Sequence, residues 1–266
     1  MESGIDQLKR NLAACERVAV ALSGGLDSSV LLACAVSVLG PQNCLALTVN
    51  TPYMMHEEIE DSRRLCRRLG VEHVCIRMAV PAGIADNPPN RCYLCKLAVF
   101  SRLKELASRS GFPHLVDGTN HDDLSDYRPG MRALQELEIA NPFKEAGMGK
   151  AEIRELGHRL GLEDSLIRKP AYACLLTRLE HGYTFTEEDL YRVDAAEIWL
   201  RERGFPACRV RVHGRLARIE LDRSAWSSFL HGGTAWQADV AFKEMGFEFI
   251  TLDLQGYTRG SMNKRV

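Results

Sequence analysis

The most chemically loaded stretch of this 266-residue chain is Ser23-Gly24-Gly25-Leu26-Asp27-Ser28-Ser29. It follows a short apolar run, Arg17 to Leu22, and leads into helical spacing from Asp27 to Leu39. Two adjacent glycines admit backbone angles and close approaches that other residues refuse. A helix start adds unpaired N–H groups and a favourable dipole. With the hydroxyls of Ser23, Ser28 and Ser29, the loop reads as a nest for a phosphate-sized anion. Asp27 repels an anion by itself; it fits if it holds Mg2+ against that anion or caps the helix. The loop matches neither the P-loop nor the dinucleotide fingerprint. A plain strand-to-helix turn with an aspartate cap is the simpler alternative.

Three thiols come next. Cys92 and Cys95 are spaced i, i+3 at the start of a helix expected over 92–110, so both face one way. A helix N-terminus lowers a thiol pKa, which favours metal ligation or reactivity over two inert buried thiols. Cys174 lies in an irregular segment between Pro170 and Arg178, where a thiol near a cation suits a nucleophile or a ligand. Cys15, Cys34, Cys44, Cys66, Cys75 and Cys208 lie in or beside apolar runs and read as core.

Charged side chains complete the inventory. Asp117 ends an expected strand and is followed by Gly118, Thr119 and Asn120, with Asp122, Asp123 and Asp126 just beyond. Asp122 and Asp126 share a face if that segment is helical, and Arg128 suits a phosphate or a carboxylate. Arg209 and Arg211 share one face of an expected strand, where planar bidentate donors suit a phosphate or dicarboxylate. A solvated charged face is the alternative there. Glu197 and Glu220 are not separable from surface glutamates, and His181, His213 and His231 sit in loops.

These residues need a scaffold. Buried strands are expected at 17–22, 44–49, 71–78 and 114–117, alternating with helices at 27–39, 56–69 and 92–110. That alternation specifies an α/β fold, a doubly wound, mostly parallel sheet whose ligands bind outside the carboxyl ends of the strands. Segments 23–29, 50–55 and 117–130 occupy that edge. A further helix runs from Lys150 to Leu160, and a boundary near 182 separates domain 1–182 from domain 183–266. The second domain is a smaller α/β unit. It starts with helix 187–203, for which Thr186 and Asp189 form a capping box, and continues with a hairpin around Gly214, a helix at 235–245 and a strand at 247–254.

Hydrophobic residues make up 45% and charged residues 26%, the balance of an ordinary globular protein. The 34 Lys and Arg against 35 Asp and Glu give a net charge of -1, which removes the general electrostatic argument for a nucleic-acid partner. No apolar run is long enough for a membrane span and the first residues lack a signal-peptide pattern, so a cytoplasmic location is expected. Nine cysteines in such a chain are thiols, ligands or reactive groups rather than a disulfide framework.

The loop 23–28 resembles the pyrophosphate-binding loop of the ATP-pyrophosphatase superfamily, which splits ATP to AMP and pyrophosphate and adenylates an acceptor oxygen. Segments Asn87–Lys96, Asp117–Gly130, Lys169–Arg178 and Asp253–Asn263 are similar to one branch of it. That branch comprises the ATP-dependent sulfur transferases that build the nickel-pincer nucleotide cofactor of lactate racemase. The resemblance covers essentially the whole chain. It implies ATP and Mg2+ at Ser23–Ser29, with Thr48 and Asn50 on adenine and Gly118 and Thr119 at the same edge. It implies a small-molecule substrate, pyridinium-3,5-biscarboxylic acid mononucleotide, whose carboxylate becomes a thiocarboxylate. Cys174 matches the family's sulfur-bearing cysteine. With Cys92 and Cys95 it implies the type thought to hold a [4Fe-4S] cluster, in which three thiolates leave one iron open for sulfide from an external donor. Sacrifice of the Cys174 sulfur is the alternative. Arg209 and Arg211 are implied on the substrate phosphate, with Arg178 and Arg128 as further substrate contacts, and the family forms homo-oligomers. Two other readings are a tRNA-thiolating relative, which needs a broad basic surface, and an ATP-binding protein without turnover.

Overall fold

In the computed structural model, residues 3–125, 129–169 and 172–258 are described. The chain divides into two units, Met1–Ile84 with Asn90–Tyr172, and Ala85–Pro89 with Ala173–Val266.

The first unit runs α1 (Gly4–Ala13), β1 (Val18–Ala21), α2 (Leu26–Leu39), β2 (Cys44–Asn50), α3 (His56–Leu69), β3 (Glu72–Arg77), α4 (Arg91–Arg109) and β4 (His114–Val116). Then follow α5 (Pro129–Glu136), α6 (Pro142–Glu145), α7 (Lys150–Arg159) and α8 (Asp164–Ile167). The four strands pair in parallel in the order β3-β2-β1-β4. Alternate residues feed two cores. Val18, Val20, Cys44 and Ala46 pack with α1, α2 and α7, whereas Ala19, Leu45, Leu47 and Val49 pack with Phe100, Leu103 and Leu134 of α4 and α5. A sheet covered on both faces explains why its strands read as unbroken apolar runs. α2 is apolar nearly all round because it too is enclosed, with Val30, Leu31 and Leu32 buried. Strand order reverses between β1 and β4, so the loops leaving these two strands flank the crevice where such sheets take ligands.

The second unit contains α9 (Glu187–Glu202), β5 (Cys208–His213), β6 (Leu216–Leu221), α10 (Trp226–His231), α11 (Thr234–Glu244) and β7 (Phe249–Leu252). β5 and β6 are antiparallel and β7 lies parallel to β6. Val210, Val212, Ala217, Ile219 and Leu221 are buried, and α9 and α11 pack against this sheet. The capping box at Thr186 and Asp189 forms as expected, with Thr186 N–H donating to Asp189 Oδ2 at 2.9 Å. The division falls after Tyr172, upstream of the boundary expected at 182. Leu175, Leu176 and Leu179 are buried, and the 3-10 turn Leu175–Arg178 packs on α9 and β5. Among the described residues no helix is long and apolar enough to cross a membrane.

Candidate active site

The glycine loop is folded tightly on its own hydroxyls. Ser28 Oγ accepts from Ser23 N–H at 3.2 Å and lies 3.1 Å from Ser23 Oγ, and Ser29 N–H donates to Gly25 O at 3.2 Å. Gly24 has φ +76, and a Cβ there would fall 2.1 Å from Glu58 O, so only glycine lets α3 approach the loop. Gly25 is the N-cap of α2 and Asp27 stands in its first turn. Gly118 is needed for a similar reason: a Cβ would lie 2.8 Å from Ser28 N. The close pass of 117–120 against the start of α2 brings the two crevice loops together.

Asp27 is the centre of this arrangement. Its Oδ2 accepts from Asn120 Nδ2 at 2.9 Å and pairs with the ammonium of Lys150. Its Oδ1 is buried without a partner, as is Asn120 Oδ1. Two buried oxygens with no donor in reach suit a hard cation such as Mg2+, which prefers oxygen ligands. Thr119 turns inward, donating from N–H at 2.9 Å and from its hydroxyl to Asp117 Oδ1. Thr48 Oγ1 donates to Leu22 O at 2.8 Å and lies 2.8 Å from His73 Nε2, so its side chain braces neighbouring strands. Burial, with Arg63 nearby, lowers the His73 pKa. Asn50 ends β2, and its carbonyl accepts from Met78 N–H at 3.0 Å.

Cys92 and Cys95 lie in the first turn and a half of α4, Cys92 exposed and Cys95 half-buried. Cys95 Sγ is 3.1 Å from the hydroxyl of Tyr53, a residue of the loop after β2. The helix start does not lower this thiol's pKa as expected. Burial raises it, against the opposing Tyr53 hydrogen bond. All nine cysteines are thiols rather than members of a disulfide. Burial alone pushes Cys66 up to about 12 and Cys44 to about 11, which makes both inert. Cys15 and Cys75 are only half-buried.

In the second unit Cys174 precedes the 3-10 turn, and Arg178 closes that turn. Arg178 is fully buried. Its Nε and Nη2 donate to Glu197 at 2.9 and 2.7 Å, and Nη1 donates to Ala173 O at 2.6 Å and Cys174 O at 3.2 Å. Arg178 therefore holds the backbone around Cys174 rather than presenting a free guanidinium. Arg209 and Arg211 do share a face, but neither is solvated: they are 5% and 4% exposed. Arg211 donates to Thr177 O at 2.7 Å and to Glu220 Oε2 at 2.8 Å, which lays the Cys174 turn over the arginine face of the sheet. Arg209 lies 5.0 Å from the Tyr257 ring and donates to Cys208 O at 2.6 Å. Burial and the neighbouring Arg178 lower the Arg209 pKa. Burial is the largest single influence on Glu197 and raises its pKa, but the charge and hydrogen bond of Arg178, with Arg209 and the Val210 N–H, together lower it below the ordinary carboxylate value. His213 pairs with Glu180 at 2.5 Å.

Arg128 and Asp126 lie outside the described residues. Among the described residues, no three His, Cys, Asp or Glu side chains stand together as a metal-holding group. Cys92 and Cys95 belong to the first unit and Cys174 to the second. Residue patterning missed Lys150, Lys169, Tyr53 and Asn87. Each works through a partner distant in sequence, and Lys150 in particular reads only as the start of a helix.

A family model described as NAD synthase matches residues 2–88. An uncharacterised protein of Synechocystis sp. is 38% identical over 267 residues, covering 99% of this chain and 98% of its own. The pyridinium-3,5-bisthiocarboxylic acid mononucleotide synthase of Lactiplantibacillus plantarum is 35% identical over 250 residues, 93% of this chain and 89% of that protein. An NH3-dependent NAD+ synthetase of Methanocaldococcus jannaschii is 28% identical over 179 residues, 59% of this chain and 63% of its own.

Proposed function

The chain belongs to the ATP-pyrophosphatase family that includes pyridinium-3,5-bisthiocarboxylic acid mononucleotide synthase, and from that premise we propose that it converts a carboxylate of pyridinium-3,5-biscarboxylic acid mononucleotide to a thiocarboxylate. A carboxylate oxygen attacks the α-phosphorus of ATP, pyrophosphate leaves, and an acyl adenylate forms. Hydrosulfide then adds to the acyl carbon and AMP departs with the bonding pair. The observation that carries this reading is Asp27. It stands at the mouth of the glycine nest with one oxygen held by Lys150 and Asn120 and the other buried without a partner.

Asp27 and Asn120 would hold Mg2+, which when bound neutralises charge on the leaving pyrophosphate. The nest N–H groups and the Ser23 and Ser28 hydroxyls orient the phosphates. Arg209 and Arg211 take the substrate phosphate, a reading supported by two buried guanidiniums on one face of β5. Arg178 steadies the backbone at Cys174. Cys92, Cys95 and Cys174 would hold a [4Fe-4S] cluster, which when bound supplies an open iron for the sulfide. Two thiols on adjoining turns of one helix suit two of its ligands.

The sulfide comes from an external donor and the reaction takes place in the cytoplasm. The protein works as a homo-oligomer, a reading supported by exposed Trp236, Leu254, Tyr191 and Phe249, all in the second unit. An anaerobic preparation given ATP, Mg2+, sulfide and substrate tests the whole reading. More than one thiocarboxylate per chain, with bound iron and unchanged protein mass, is expected. A yield capped at one sulfur per chain, with Cys174 converted to dehydroalanine and Cys92→Ala still active, assigns the sulfur to Cys174 itself.

A further inference from the structure

Lys169, just after α8, reaches back to the glycine loop. Its ammonium donates to Gly24 O at 3.1 Å and to Asp61 Oδ2 at 2.5 Å, and its side chain is only 9% exposed. The ring of Tyr172 lies 5.6 Å from the same nitrogen. Asp61 sits on α3, one turn beyond Glu58, whose carbonyl crowds Gly24. The ammonium thus bridges the back of the loop to the helix behind it.

A trans peptide points its C=O and its N–H in opposite directions. With the Gly24 carbonyl drawn towards Lys169, the N–H of the same peptide unit, that of Gly25, is turned the other way. It lies 3.4 Å from Ser23 Oγ, on the hydroxyl side of the loop. Both residues of this peptide are glycines, so no Cβ opposes rotation of the peptide plane. Rotation would swing a carbonyl oxygen, hostile to an anion, into the position of an N–H donor. The backbone here is permissive by composition, and the ammonium of Lys169 restricts it.

We propose that Lys169 is a positioning residue that latches the Gly24–Gly25 peptide with its N–H turned into the nest, and so prepares the loop for a polyphosphate. The latch rests on the reading of Ser23–Ser29 as the ATP-phosphate site. It acts through the backbone, since the ammonium's own charge is balanced by Asp61.

The test compares Lys169→Met, which keeps the stem and removes the donor, with Lys169→Arg, which keeps a cationic donor, in the full-length protein. Titration with Mg-pyrophosphate should show about tenfold weaker binding for Lys169→Met, the scale of one charge-assisted hydrogen bond, and recovery in Lys169→Arg. In the ligand-free protein the Gly25 amide resonance should be displaced in Lys169→Met and close to wild type in Lys169→Arg. Should Lys169→Met fail to fold, Asp61→Asn, which leaves the lysine but removes its carboxylate, should show the same two changes in weaker form. Pyrophosphate affinity and Gly25 resonance both unchanged in a folded variant would overturn the latch. If wild type binds neither pyrophosphate nor ATP, the polyphosphate reading falls. The displaced Gly25 amide would then still uphold the latch, and an unmoved one would reject both.

Discussion

At Asp27 two oxygens of one carboxylate live in different surroundings, one paired with Lys150 and Asn120 and the other buried alone. A carboxylate so divided is ready for a cation, because the lone oxygen has already lost its water and gains a partner only when a metal arrives. Asp27→Ala should therefore lower ATP–pyrophosphate exchange by about 10²-fold or more while the circular dichroism spectrum stays unchanged. Exchange within a few-fold of wild type in a folded variant would remove Asp27 from the site. The residue itself was legible in the sequence, since its place at a helix start directly after two glycines restricts its surroundings. Lys150 was not. It lies over a hundred positions away, and only the convergence of α2 and α7 brings its ammonium to Asp27. The helix-start argument gives the pKa of Cys95 the wrong sign, because it leaves out burial, which outweighs the lowering hydrogen bond from Tyr53.

Among the elements, β5 shows both what alternation reveals and where it stops. Period-two spacing puts Arg209 and Arg211 on one face correctly, but both are buried there, Arg211 against the Thr177 carbonyl of the turn 175–178 and Arg209 beside the Tyr257 ring, long-range contacts with no local signal. Replacing Arg209 by Gln should weaken binding of the mononucleotide substrate about tenfold or more and leave ATP affinity within twofold, measured by separate titrations. Equal losses for both ligands would place the arginine elsewhere. The pair Arg178–Glu197 joins that turn to α9 with both side chains fully buried. Removing one partner leaves an uncompensated charge, so Glu197→Gln should cost about 3–5 kcal/mol in urea unfolding at neutral pH. The pH dependence follows from the lowered pKa of Glu197. A carboxylate whose folded pKa is depressed contributes stability above its unfolded value, about 4.3, and loses it as pH falls through the folded value. Wild type should lose this increment below about pH 4, whereas Glu197→Gln should show a flatter acid limb. Parallel acid limbs for the two proteins would contradict the assignment.

For the molecule as a whole, the sequence pattern suggested two continuous domains, and the chain is organised otherwise. It enters the second unit at Ala85, leaves after Pro89 and returns at Ala173. Five residues bounded by ordinary loop composition leave no trace in periodicity or charge, so this brief visit could be found only from contacts. Asn87 shows what the visit accomplishes. It is fully buried, and its side-chain amide donates to Leu176 O at 3.2 Å, Leu179 O at 3.1 Å and Glu180 O at 2.8 Å. Its backbone adopts φ +49, a left-handed angle that asparagine tolerates better than most residues and glycine tolerates freely. The turn after Cys174 thus takes its shape from a residue far earlier in the chain. Two substitutions separate the side chain from the backbone. Asn87→Gly keeps the left-handed angle and loses the three hydrogen bonds; Asn87→Ala loses both. The first should lower the unfolding free energy by about 1–3 kcal/mol, the cost of leaving buried carbonyls unpaired, and the second should add about 1 kcal/mol of backbone strain. Both should speed alkylation of Cys174 relative to that of Cys92 in the same full-length sample. A fragment beginning at Ala173 lacks Asn87 altogether and should show fast Cys174 alkylation whether or not the rest of it folds. Slow alkylation of Cys174 in Asn87→Gly, with unfolding at the wild-type urea midpoint, would mean that the turn holds its shape without the amide.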